Sequence, residues 1–200
     1  MAAMRYTQLL CALVICGCVG SESSATKNPG GTLAISVGGD PDVLIPSLVQ
    51  TTVAAEITDM IYDRLADIGD SLNIVSDHGF TPRLADHWTW SADSLSIAFH
   101  VNPKAMWHDG VPVRSNDVRF TIASTKDSTL GSPNASLLTN IDSVSTPDST
   151  IAVFWFHARS PQQFYDAVYP LPIMPEHVWK SIPPASWRAS EAGKLSLIHI

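Results

Sequence analysis

Seven histidines, three cysteines and a surplus of Asp and Glu over Lys and Arg are the side chains able to do chemistry in this 200-residue chain. The cysteines, Cys11, Cys16 and Cys18, stand within the first eighteen residues. None follows, so no disulfide framework, thiolate metal cluster or cysteine nucleophile is expected in the folded part. His78, His87, His100, His108, His157, His177 and His199 never show the His-x-x-x-His spacing that sets two imidazoles on one helix face. His87 and His108 each neighbour a Trp and read as solvent-edge or turn residues. Asp40, Asp70, Asp109 and Asp148 sit in turn-forming contexts, which is turn chemistry rather than a paired-carboxylate site. No Gly-x-Ser-x-Gly elbow, phosphate loop or dinucleotide fingerprint occurs. The expectation is a protein without catalytic residues, metal or cofactor.

The composition, 45% hydrophobic and 16% charged, is that of a folded chain long enough to bury a core. The net charge is −7 and the basic residues are scattered singly, which argues against a nucleic-acid partner. No apolar stretch reaches the roughly 20 residues needed to span a bilayer. Residues 1–18 read as a signal segment, with Arg5 as its positive region and Leu9 to Cys16 as its apolar region. Ile15-Cys16-Gly17-Cys18 resembles a bacterial lipobox, with Cys16 at a place usually held by Ala or Ser. Cys18 is then the lipidated residue; an ordinary signal peptide cleaved near Gly20 or Ser21 is the alternative. Residues 19–31 are rich in Ser, Gly and Asn and have the composition of a flexible tether.

Mixed elements follow. Thr32–Val37 alternates as a buried strand, and Asp40 to Pro46 reads as a loop. Thr52 is placed to cap a helix running to Leu65, with Val53, Ile57, Ile61 and Leu65 on one face. Strands are predicted at Leu72–Val75, Trp88–Trp90, Leu95–Val101 and Ile151–Phe156. Ser115 is placed to cap a helix that has Asp117 in its first turn and Val118 and Ile122 on one face. Ser160-Pro161 opens another helix, through Val168, and a short one covers Glu176 to Trp179.

Two stretches carry a resemblance. One is Pro82-Arg83-Leu84-Ala85-Asp86-His87-Trp88 with Ser91-Ala92-Asp93. The other is Trp107-His108-Asp109-Gly110-Val111-Pro112-Val113 with Asn116-Asp117-Val118-Arg119-Phe120-Thr121. Together with Leu44-x-Pro46, Ile61-Tyr62-Asp63-Arg64-Leu65 and the lipoprotein-like start, they resemble the family 5 extracellular solute-binding proteins of ABC transporters, the peptide-, dipeptide- and nickel-binding group. The resemblance runs from about Thr32 to about Trp179. It implies an α/β, type II-like periplasmic-binding-protein fold, truncated. Residues 32–65 and 170–194 would form part of the first ligand-binding lobe, and 66–169 an inserted mixed α+β domain. It also implies a peptide or other small solute as ligand and an ABC permease of the inner membrane as partner. The location is then the periplasm or cell envelope, held by a lipid anchor alone.

The same resemblance sets Gln50, Thr51 and Thr52 on a loop beside the solute, where their polar groups can pair with a peptide backbone. The alternative is that Thr51 and Thr52 only cap the helix. Asn134 stands after Ser132-Pro133, where oligopeptide-binding relatives carry a stacking aromatic, so that contact is missing. Trp107, Asp109, Gly110 and Asp117 read as scaffold: a tight Asp-Gly turn with Gly110 at positive φ, pinned by an apolar plate. Residues 195–200, Leu-Ser-Leu-Ile-His-Ile, match what a transposase-adapter sequence encodes in frame and are set aside. Two rival classes remain: a secreted hydrolase whose catalytic part lies elsewhere, and an envelope structural lipoprotein.

Overall fold

The computed structural model describes residues 38–190. The signal segment with Cys18, the tether 19–31, the strand expected at Thr32–Val37 and the tail 195–200 lie outside the described residues.

Helix α1 spans Thr52–Ile61. Its cap is Thr51 rather than Thr52: the Thr51 hydroxyl accepts from Ala54 N at 3.3 Å and donates to Asp42 Oδ1 at 2.8 Å. The helix stops at Ile61, short of the expected Leu65, because Tyr62 turns extended at φ −120° and ψ 141°. The chain beyond serves the sheet instead: Leu65 O accepts from both Arg83 N and Ala85 N, and Leu65 is fully buried. Ala54 and Thr58 are the buried positions of α1, whereas Val53, Ile57 and Ile61 are only half-buried.

Strand β1 (Ala66–Ile68) pairs antiparallel with β2 (Phe80–Pro82). The strand expected at Leu72–Val75 is a turn. Leu72 and Ser76 take positive φ (51° and 58°), and Asn73 Oδ1 accepts from Val75 N at 2.9 Å. Leu72 and Val75 point to solvent, so apolar residue type there does not signify pairing. Gly79 permits the fold-back, since a Cβ there would lie 1.9 Å from Asn73 O.

The main sheet is antiparallel, in the order β3 (Ala85–Trp90), β4 (Ser96–Val101), β6 (Ile151–Phe156), β5 (Ile141–Ser145). The alternation expected in β4 holds: Ile97, Phe99 and Val101 are buried. In β6, Ala152, Phe154 and Phe156 turn inward, while Trp155 faces out and donates its indole N–H to Ser145 Oγ at 2.9 Å. Helix α2 (Ser115–Lys126) packs on β5 and β6 with Val118 and Ile122 buried, and α3 (Gln163–Val168) seals the other part of this core. Phe164 of α3 sits 4.8 Å from both the Phe80 and the Trp88 rings and 5.7 Å from Phe99. Ser160-Pro161 forms a turn before α3 rather than its first residues. Gln163 Oε1 accepts from Ser160 N at 2.9 Å, and Ser160 Oγ accepts from Gln162 N at 3.2 Å.

A second core joins the chain on either side of the sheet unit. Val43, Ile45 and Leu48, the last in a 3-10 turn at Pro46–Leu48, pack with Met174, Trp179 and Trp187. Trp179 belongs to the short α4 (Glu176–Trp179), which matches its expected bounds. Phe120 on α2 reaches this core, its ring 5.9 Å from Trp187. Between the cores, α2 presents buried hydroxyls. Ser47 Oγ and Thr125 Oγ1 share a 2.7 Å hydrogen bond, and Thr121 Oγ1 accepts from Met174 N at 2.9 Å. These bonds hold the Pro46–Leu48 turn, and hence the start of α1, in place.

Candidate ligand pocket

A pocket of about 360 Å³ opens at the N-terminal end of α1. Gln50, Thr51, Thr52 and Asn134, the four residues singled out from the sequence, all line it. They reach it by different routes. The loop before α1 is anchored by the buried Pro46–Leu48 turn, which leaves Gln50 and Thr52 exposed at the rim. Neither side chain hydrogen-bonds another described residue. Thr51 is committed to its cap and to Asp42, so the capping role expected as an alternative is realised at this residue. Asn134 arrives from far along the chain. Ser132 Oγ donates to Ser47 O at 2.5 Å, Asn134 N donates to Ser132 Oγ at 3.2 Å, and Asn134 Nδ2 donates to Pro46 O at 3.4 Å. Asn134 is thus tied to the same turn that precedes α1.

Three further polar lining residues, Thr58, Asp59 and Arg64, were not among the site residues expected from the sequence. Arg64 Nη2 donates to Asp59 Oδ1 at 2.7 Å and Nε to Tyr169 O at 2.7 Å, with the guanidinium 4.8 Å from the Tyr169 ring centroid. The pair is charge-matched and only the Asp59 end is substantially exposed. Pro170 and Pro172 complete that end of the wall. Thr58 is 2% exposed and its hydroxyl has no hydrogen-bond partner among the described residues. One sequence signal was available: Thr51, Ala55 and Thr58 recur at helical spacing, and all three line the pocket.

The Trp-x-Asp-Gly-x-Pro-Val stretch lies away from this pocket. It is a clamp between elements. Gly110 takes φ 84°, as expected, and closes a turn through Gly110 N to Trp107 O at 2.9 Å. Asp117 is buried and saturated: it accepts from Arg114 N at 2.8 Å, from Trp107 Nε1 at 3.2 Å and from Glu176 N at 2.7 Å. Arg114, not the expected Ser115, is therefore the cap of α2, while the Ser115 hydroxyl donates to Asp148 O. Asp109 Oδ2 lies 2.8 Å from His177 Nε2. That hydrogen bond, then the one from Val111 N, holds the Asp109 carboxyl below its usual range. No group of three or more His, Cys, Asp or Glu suited to a metal occurs among the described residues.

Comparison with known proteins gives one direction. Residues 79–195 match the family model of bacterial extracellular solute-binding proteins, family 5 Middle. A Brucella ovis protein named as an ABC transporter peptide-binding protein is 37% identical over 112 residues, covering 56% of this chain and 20% of that protein. The ABC transporter substrate-binding protein CtaP from Listeria monocytogenes superposes with a TM-score of 0.68 at 27% identity, over 82% of this chain and 32% of that one. The oligopeptide-binding protein AppA from Bacillus subtilis, solved with a nonapeptide, gives a TM-score of 0.68 at 19% identity, over 76% of this chain and 29% of that one. The chain spans about a fifth of the length of the curated relatives it matches. The fold is the type II periplasmic-binding-protein kind, of which the described residues form a part.

Proposed function

The chain belongs to the bacterial extracellular solute-binding proteins of family 5, and on that premise we propose that it serves an ABC importer as the extracytoplasmic binding component for peptides. The observation that carries the proposal is the convergence of Gln50, Thr51, Thr52 and Asn134 on one pocket mouth. One three-residue loop and Asn134 from far along the chain, with the Gln50 and Thr52 side chains free of hydrogen bonds to other described residues, make a polar rim able to pair with a peptide's amides. The relative named for peptide binding supports the same ligand class.

Two parts follow from this reading. First, residues 66–169 act as an inserted domain, and 32–65 with 170–194 contribute to the lobe that carries the pocket. The second core joins 43–48 to 174–187, and Phe120 and Leu130 of the inserted stretch pack into it. Second, Cys18 carries lipid that holds the protein at the cell envelope facing its permease. Cys18→Ser is expected to abolish lipid labelling in cells, while Cys11→Ser and Cys16→Ser leave it intact; equal labelling of Cys18→Ser removes the anchor from the proposal.

The experiment for the ligand class is native mass spectrometry on the protein encoded by the complete reading frame, offered a mixture of short peptides, sugars and amino acids. Retention of peptides over the other classes is the expected result. Retention of sugars or amino acids with no peptide contradicts it.

A further inference from the structure

Methionine is ordinarily a core residue. Of the three described methionines, Met174 keeps to that: it is fully buried, and its sulfur accepts from Ser47 Oγ at 3.2 Å. Met60 and Met106 do not. They are 61% and 55% exposed, far apart in sequence, and both line one pocket of about 210 Å³ beside the C-terminal end of α1. Trp107 and His108 line it too. The exposed His108 side chain makes no hydrogen bond or ion pair with another described residue. The backbone that carries these three is fixed: Met106 bridges to Pro112, and Trp107 N donates to Val111 O at 2.8 Å. This pocket is separate from the one at the start of α1, with Asp59 alone common to both.

The oxygen donors here are already committed or neutral. Asp59 faces Arg64 at 2.7 Å, and Asp63 lies 3.4 Å from Arg83 Nη2. Burial pushes the Tyr62 phenol up to about 12, so it offers no anionic oxygen. A hard divalent cation needs several carboxylates, and zinc several imidazoles or thiolates; neither set is free at this pocket. The uncommitted donors are soft: two thioethers and one imidazole, all uncharged. Thioether sulfur selects Cu(I) among the biological metals. Trp107 adds an indole, the aromatic ring that best attracts a cation. Exposed methionine side chains have three rotatable bonds with which to close on an ion.

We propose that Met60, Met106 and His108 form a binding site for a soft monovalent metal ion of the Cu(I) class, with Trp107 beside it. The site goes beyond solute delivery and uses no residue of the loop before α1. It accounts for two thioethers and an unpaired imidazole meeting at one pocket, where leucines would serve a merely apolar surface.

The test is a titration of the 200-residue chain with silver nitrate, followed by NMR of its methionine methyl groups. Silver(I) has the charge and donor preference of Cu(I) without its redox chemistry. Cys11, Cys16 and Cys18 are replaced by Ser, because their thiols would take the silver first. The Met60 and Met106 methyls are expected to shift together with one midpoint, while the buried Met174 methyl stays in place. Zinc(II) and nickel(II) at the same concentration are expected to move neither. Met60→Leu, Met106→Leu and His108→Gln should each weaken silver binding by about tenfold or more, at least what loss of an outer-shell partner costs a metal site. Their unfolding midpoints should be unchanged, since all three side chains are exposed. Separate midpoints for the two methyls, no saturable shift, equal shifts with zinc or nickel, or full silver affinity in any of the three variants overturns the proposal. The peptide-binding reading of the chain stands or falls apart from all of these.

Discussion

At the scale of single residues, the family-like turn is backbone chemistry. Gly110 sits at φ 84°, and a Cβ there would meet nothing within 4 Å. The cost of Gly110→Val is therefore backbone strain alone, about 1–3 kcal/mol, read as a lower urea midpoint with the peptide affinity of the complete protein unchanged. A loss of binding at unaltered stability would instead make the turn part of the site. Asp109 has a pH signature. Its carboxyl is held low by His177 and by Val111 N, so its contribution is fully present above the usual carboxylate value of about 3.9 and is lost as pH falls through the lowered one. Asp109→Asn is expected to flatten the fall in stability on the acid side of that value. Identical acid unfolding profiles for the two proteins would contradict this. The turn residues were legible in the sequence because Asp-Gly has few conformational options. Thr58 was not, because its burial and its lack of a partner exist only once α1 is packed.

At the scale of elements, α1 shows what local pattern reveals and what it misses. Its existence and its polar N-terminal loop were legible. The cap fell one residue early, at Thr51, because the choice depends on Asp42 Oδ1 accepting the hydrogen bond that the Thr51 hydroxyl donates. The end was misread because Leu65 is apolar at helical spacing yet is claimed by the sheet through Arg83 and Ala85. Strands β1 and β2 are three residues each, too short for an alternation to register, and β5 carries only two buried side chains. The long strands β4 and β6 and the short α4 came through because their burial follows their own residue types. Thr51→Ala should cost about 1 kcal/mol as a lost cap and raise amide hydrogen exchange in the first turn of α1. Unchanged protection there would show that Asp42 and the Pro46–Leu48 turn hold the helix start by themselves.

At the scale of the whole molecule, two cores share α2, and the pocket rim stands where the chain on either side of the sheet unit meets again. A pocket of about 360 Å³ is small beside a peptide of several residues, so most of such a ligand stays hydrated and the gain per contact is low. The 200-residue chain alone is therefore expected to bind no peptide at micromolar affinity, which calorimetry on a verified monomer checks; tight binding would mean that the whole site lies within this segment. The central claim is that the solute contacts the loop before α1. Gln50 and Thr52 suit its test because neither side chain bonds another described residue, so changing them leaves the fold intact. The measurement is the calorimetric affinity of the complete protein for its retained peptide, with and without Gln50→Ala and Thr52→Ala combined. The account predicts a loss of about tenfold, the worth of two neutral hydrogen bonds, at an unchanged unfolding midpoint; an unchanged affinity would contradict it.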